Sequence, residues 1–426
     1  MNYEFSAKQW KKACAVVDDV LGIILSELKT QALELSNDLK IDARFIRQAS
    51  ARQGLKIVAP DEFDAIVPFE LKGLDLQKEQ LKDTDGTVLP GQMRLRVLNP
   101  SVLDERFPKL KERQVFTEDH ETSLIKDQET CLIKDQETCL INTKMLQEKV
   151  FKSLMDKTLS ITEDNLKRKG YNVTRGSRPP TMNIKISSNL PFPIDVDFVP
   201  GLNLGDEAVI IPDSVTTHQG SIRKNFPRFG LMKWVNKENL CNREQDKDVI
   251  WRICSSSYER YMFDLCLSNR KRRYIVTACR IMKVVVRTLR EGQNHAANLL
   301  TSYHLKTIAM YCIELLTVPT VAPPDFHLGG VCEALGYFLK FLKLVFKTEV
   351  LPDFFLGNEY LGKIFPDSYF AEERGKYNLF DKENPAQVKD AKHCFSAMEK
   401  ALDGCYTYEN LNDAVIKCFE NRVLRM

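Results

Sequence analysis

The chain has 426 residues, 43% of them hydrophobic and 28% charged, with 19 Gly and 18 Pro. At roughly 150 residues per domain this is room for about three units or two large lobes, and the composition excludes a disordered or collagen-like chain. Its 61 basic and 58 acidic residues leave a net charge of +3, so no global field imposes a nucleic-acid or acidic partner and any such surface must be local.

In chain order, Val17, Leu21, Ile24 and Leu28 recur at three- and four-residue steps within 8–35, the period of a long amphipathic helix. The apolar run 20–25 contains Gly22 and is bounded by Asp18, Asp19 and Glu27, which predicts no membrane span; no signal peptide is expected. Between 55 and 212 the pattern shortens to Lys56-Ile57-Val58 and to 63–69, 93–98, 182–186, 194–199 and 209–211, which read as strands interrupted by a helix over 146–166. Beyond about residue 250, helical periods follow at 274–289, 302–316, 331–346 and 391–402, with a proline-broken connection at 318–324. The expected fold class is therefore α+β, with a mixed core at 1–215, a helical lobe at 216–426 and a boundary within 212–225. The octapeptide at 124–131 repeats at 132–139, and Leu140-Ile141 begins a third copy. That period is too short for a solenoid, so 121–141 is expected to be a duplicated surface loop without chemistry.

Twelve cysteines are scattered from Cys14 to Cys418 without a CxxC or a Cys/His cluster of metal-ligand spacing. A reducing, cytoplasmic setting and no zinc site are expected.

Two acidic pairs stand out. In Glu62-Phe63-Asp64, strand alternation puts both carboxylates on one face, and Asp195-Val196-Asp197 repeats the arrangement beside apolar Ile194 and Phe198. Such residues suit solvated strand ends. If the two strands are neighbours, however, three or four carboxylates converge, and like charges at close range need a counter-ion; Mg²⁺, an oxygen-ligated cation that keeps places for water and phosphate, meets that need. The complementary charge lies at 268–290, which holds eight basic residues and no acidic one. Arg273, Arg280, Lys283, Arg287 and Arg290 fall on one helix face, opposite Ala278, Met282, Val285 and Leu289. The stripe lacks the acidic partners of an ordinary solvated face, which favours phosphate binding there.

The segment Lys56-Ile57-Val58-Ala59-Pro60-Asp61-Glu62-Phe63-Asp64 resembles the active-site strand of cyclic GMP-AMP synthase. Pro193-Ile194-Asp195-Val196-Asp197 resembles the strand of the third catalytic carboxylate, Trp251-Arg252 with 256–259 the helix opening the nucleotide lobe, and 279–283 the lysine helix. The most specific match is Leu300-Thr301-Ser302-Tyr303-His304-Leu305-Lys306-Thr307. Over nearly its whole length the chain is similar to the cGAS-like receptors within the Mab-twenty-one family of nucleotidyltransferases. The resemblance implies a bilobed, polymerase-beta-like nucleotidyltransferase of innate immune and antiviral sensing that makes a cyclic dinucleotide from ATP and/or GTP once a ligand activates it. It implies that Glu62, Asp64 and Asp197 hold two Mg²⁺ or Mn²⁺ ions, with Asp197 also receiving the proton of the attacking hydroxyl and Asp195 left outside the ligand set. Ser50, Lys283, Ser302 and Tyr303 would contact triphosphate or base, and Arg252, Ser256 and Glu259 would line the base pockets.

Two departures from the family pattern bear on these expectations. The Gly-Ser phosphate turn aligns with Ala49-Ser50, and alanine at a position needing positive φ costs about 1 kcal/mol; that favours the rival of a Mab-twenty-one-like scaffold without catalysis. Cys254 also stands where the vertebrate DNA sensor has serine. The connection between Trp251 and Lys283 has no room for that sensor's zinc thumb, and Cys254, Cys266 and Cys279 have no partner histidine nearby. Duplex DNA is therefore disfavoured, and Arg270, Lys271, Arg272 and Arg273, with Lys8, Lys11 and Lys12, become the surface for double-stranded RNA. A third alternative, tailing of RNA ends, shares the acidic triad and lacks the Ser-Tyr-His-Leu-Lys motif.

Overall fold

The computed structural model describes residues 7–48, 62–82, 86–118, 138–176, 182–215, 220–232, 247–267, 273–318, 328–373, 375–380, 384–409 and 411–425. The opening periodicity forms helix α1 (Ala7–Leu35), whose Val17, Val20, Leu21, Ile24 and Leu28 are fully buried. α1 packs beside α2 (Lys152–Arg168). Both cover one face of a sheet, to which Trp10 is joined by a stacked contact with Phe63 (ring centroids 5.3 Å apart) and Phe151, just before α2, by an edge contact with Phe69.

Twelve strands make up that sheet among the described residues: β1 (Leu39–Ile41), β2 (Ile46–Gln48), β3 (Glu62–Leu71), β4 (Leu76–Lys82), β5 (Val88–Val97), β6 (Phe116–Glu118), β7 (Cys139–Ile141), β8 (Asn172–Arg175), β9 (Met182–Ser187), β10 (Ile194–Ile211), β11 (Ile222–Met232) and β12 (Trp251–Ile253). The main path runs β1-β3-β10-β11-β12-β5-β7-β6, with β2 on β3, β4 on β5, and β8 and β9 extending from β10. Only the β3–β10 pair is parallel among the pairings of the described residues.

Three expectations need correction. The sheet does not stop at 212–225, because β11 continues to Met232. Its Pro227 conceals the strand in the sequence, and it sits where the β10–β11 register shifts between Asn203 and Asp206, an irregularity at which a strand tolerates proline. Trp251-Arg252 opens no helix: Trp251–Ile253 is the strand joining β11 to β5, and the helix begins at Ser256. The end of the repeat is not surface loop either, since Cys139–Ile141 is a buried strand between β5 and β6. Residues 121–137 of that loop, and the strand read at 56–58, lie outside the described residues.

The remaining helices of twelve residues or more are α3 (Ser256–Leu267), α4 (Arg273–Glu291), α5 (Ser302–Thr317), α6 (Val331–Thr348), α7 (Pro385–Ala401) and α8 (Asp413–Leu424). α5 is buried from His304 to Thr317, so it is the axis around which the helical part packs. Among the described residues no helix is long and apolar enough to cross a membrane.

His304 locks the start of that axis. Thr301 Oγ1 accepts from the His304 amide, and His304 Nδ1 accepts from the Thr301 amide at 3.2 Å, a reciprocal box that satisfies two otherwise orphaned donors. Burial lowers the His304 pKa from 6.5 to about 4, with a Leu299 backbone bond partly opposing. Because the folded pKa is depressed, the neutral ring contributes stability above pH 6.5 that is lost as pH falls toward 4, about 3 kcal/mol in all. Urea unfolding of wild type and His304→Gln, which keeps a capping side chain, should diverge in slope over this window. Parallel pH profiles would refute the assignment.

Candidate active site

The parallel pairing of β3 with β10 sets Asp195 opposite Glu62 and Asp197 opposite Asp64, followed by Val199 opposite Ile66. Partners in register on strands about 4.8 Å apart point to the same face. Phe63, Ala65, Val196 and Phe198 turn to the core under α1, and the four carboxylates turn away from it, Glu62 exposed and the others half-buried. The next row on this face is apolar. Ile66 joins Phe229 and Cys254 in a small buried cluster packed by Ile46, Val199 and Leu231. The carboxylates thus stand at the rim of an apolar floor that reaches the end of β12. There Cys254 Sγ lies 2.7 Å from Ser256 Oγ, and burial raises its thiol pKa. Ser256, Ile46, Phe229, Lys224, Arg260 and Tyr261 help line a cavity of about 250 Å³ at this junction.

The surroundings separate the acidic groups. Asp195 stands across from Lys185, and Asp197 across from Asn183, whose Nδ2 donates to Asp197 Oδ1 at 2.9 Å. An all-carboxylate donor set is the type that Mg²⁺ or Mn²⁺ takes, and the backbone register fits it. The side chains as placed are less closed: among the described residues, no three His, Cys, Asp or Glu gather closely enough to hold a metal ion. The register also sets Gln48 against Asp64, so the chain leaves β2 beside the acidic row. Ala49 and Ser50 follow immediately and lie outside the described residues.

The helical part brings a second cluster to the same floor. Arg252 is exposed, with Tyr303, Asp353, Cys254 and Glu259 as its electrostatic neighbours. Glu259 is buried and already partnered, Oε1 accepting from Ser255 Oγ at 3.0 Å and Oε2 from Lys306 Nζ at 2.5 Å. Tyr303 OH donates to Asp353 Oδ2 at 3.0 Å. Burial first, and then the Asp353 charge, keep that hydroxyl well above its ordinary pKa and hence a donor. Asp353 Oδ1 accepts from the amides of Phe355 and Leu356. Burial raises the Asp353 carboxyl pKa against the opposing charge of Arg252. Ser302 is exposed at the head of α5.

The basic stripe of α4 is not one solvated face. Lys283 is buried, only 9% exposed, and with Lys306 lies near Cys279, whose thiol pKa burial pushes up to about 12. Arg290 is turned to the carbonyls of Ala297 and Leu300, and Arg273 donates to the Leu267 carbonyl. Arg270, Lys271 and Arg272 lie outside the described residues, while Lys8, Lys11 and Lys12 are exposed on α1.

Sequence reasoning passed over Lys306 and Asp353. The first lay inside the 300–307 motif without a role. The second had a usable signal, a lone carboxylate within the apolar run 350–356, where an acid persists only with partners.

A mixed sheet with acidic residues on its parallel pair, followed by a helical part, is the architecture of an α+β nucleotidyltransferase. Residues 52–265 match the Mab-21 protein nucleotidyltransferase domain, and the chain belongs to this family. A search of curated proteins returned no match.

Proposed function

We propose that the protein is a ligand-activated nucleotidyltransferase that makes a cyclic dinucleotide from ATP and/or GTP in innate immune sensing. The observation that carries this reading is the in-register placement of Asp64 beside Asp197, with Glu62 one step along, at the rim of a floor shared with Cys254. Mg²⁺ or Mn²⁺ at Glu62, Asp64 and Asp197 would supply charge stabilisation to the phosphate oxygens. The chain's own residues do the rest. Asp197 receives the proton of the attacking ribose hydroxyl; Lys283 and Ser302, with Ser50, face the triphosphate; Tyr303, held by Asp353, offers a ring for base stacking, and Arg252 and Ser256 border it. Glu259 then holds Lys306 as well as lining the pocket. Catalysis on this plan is positioning and electrostatic stabilisation.

The activator best suited to the surface is double-stranded RNA, met through phosphate contacts by Lys8, Lys11 and Lys12 together with Arg270, Lys271, Arg272 and Arg273. A cytoplasmic setting accords with twelve scattered cysteines. A second reading, binding without catalysis, is favoured by two features, the lack of three converging metal-ligand side chains among the described residues and an alanine at position 49, where the family pattern has the glycine of its phosphate turn.

Incubating the chain with labelled ATP and GTP, Mg²⁺ or Mn²⁺, and duplex RNA or duplex DNA in separate reactions decides between them. A cyclic product that requires duplex RNA is expected. Linear extension of the RNA would indicate tailing, and silence with every ligand would leave the scaffold reading.

A further inference from the structure

Asp197 is held in a way that Asp195 is not. Asn183 lies within β9, which pairs on one side with β10 and on the other with β8. Its side chain is 5% exposed, and Nδ2 donates to Asp197 Oδ1 at 2.9 Å. Behind it the chain passes Gly176, whose amide donates to the Asn183 carbonyl at 2.8 Å. A Cβ on Gly176 would lie 2.4 Å from Asn183 Oδ1 and 3.1 Å from its Cγ. A side chain at residue 176 would therefore displace the amide whose nitrogen is turned toward Asp197.

We infer that Asn183 is a positioning residue for Asp197, seated by Gly176, that orients the carboxylate for a divalent cation through a neutral donor. The neutrality matters. A lysine opposite Asp197, as Lys185 stands opposite Asp195, would offset the charge the cation needs, whereas an amide turns the carboxylate and leaves its charge in place. Groups that orient a metal ligand in this manner are worth about 10- to 100-fold in metal affinity. The inference rests on the proposed metal-dependent reading, and the test separates the two.

Binding of Mn²⁺ in the presence of ATP, read as the metal retained on the protein side in equilibrium dialysis over a control with ATP and no protein, is compared across full-length variants with thermal melts as folding controls. Asn183→Leu should weaken binding by about 10- to 100-fold. Gly176→Ala touches no proposed ligand and should weaken it in the same direction. Because both act through one amide, the double variant should be no weaker than Asn183→Leu alone, within about twofold. If Asn183→Leu does not fold, Gly176→Ala alone decides. Wild-type affinity in both single variants, with binding lost in Asp197→Asn, overturns the positioning role and leaves the metal site standing. Losses that add in the double variant overturn the shared device. A wild-type chain that takes up no Mn²⁺ overturns the parent reading and this one with it.

Discussion

Asp64→Asn and Asp197→Asn should each lower the proposed nucleotidyl transfer by about 10³-fold or more while leaving the melting temperature close to that of the wild type. The magnitude follows from what a carboxylate does at a divalent cation: losing several kcal/mol of stabilisation of developing charge is about a thousandfold in rate. The sparing of stability follows from location. Both side chains are only half-buried at the rim of the floor, and the strands beneath them are held by Phe63, Ala65, Val196 and Phe198 on the opposite face. Asp195→Asn is the control, since Asp195 faces Lys185 and lies outside the proposed ligand set; its activity should stay within a few-fold of wild type. Equal losses at Asp195 and Asp197 would show that the row acts as a diffuse negative field, and unchanged activity at Asp64 would remove the metal site altogether.

Glu314→Gln should destabilise the fold by about 3–5 kcal/mol, the range for stranding one partner of a buried ion pair. Glu314 is completely buried within α5, and its Oε1 accepts from Arg422 Nη2 at 2.9 Å. The Arg422 side chain is only 7% exposed, with its guanidinium 3.8 Å from the Tyr360 ring centroid and Nη1 on the Cys418 carbonyl. Glutamine keeps the shape and removes the charge, so the guanidinium remains desolvated without its counter-ion; that penalty outweighs the one neutral hydrogen bond glutamine can retain. A melting temperature lower by roughly 5 °C is the corresponding calorimetric result. Replacing both residues by leucine should recover most of the loss, because the pair's attraction largely repays its own desolvation and contributes little net. A single variant as stable as wild type would mean that the pair is wet and worth no more than a surface bridge.

Much of the molecule was legible before any coordinates. The 3.6-residue period of Val17, Leu21, Ile24 and Leu28 is imposed by a helix with one buried face, and these residues are the buried stripe of α1. The alternation in Glu62-Phe63-Asp64 and Asp195-Val196-Asp197 likewise reports strands with one wet face, because a side-chain period of two is local geometry. Local signals failed where a distant partner overrode propensity. β11 contains Pro227 and Gly230, poor strand formers, and exists because β10 and β12 flank it and a register shift absorbs the proline. Cys139–Ile141 belongs by sequence to a repeat and by burial to the sheet.

At the site the division is similar. Residue type and spacing marked Glu62, Asp64, Asp195 and Asp197 alike as candidate acidic groups, since charge and alternation are written along one strand at a time, and the choice of Glu62, Asp64 and Asp197 among them came from the family resemblance. Whether two such strands are neighbours, parallel and in register is a property of pairing between segments some 130 residues apart, and only the folded sheet decides it. The same holds for Lys306 on Glu259, for Tyr303 on Asp353, and for the contrast between Asp197 facing an amide and Asp195 facing a cation. A side chain's partners are chosen by tertiary packing, and burial converts those partners from incidental neighbours into the terms that set charge, orientation and affinity.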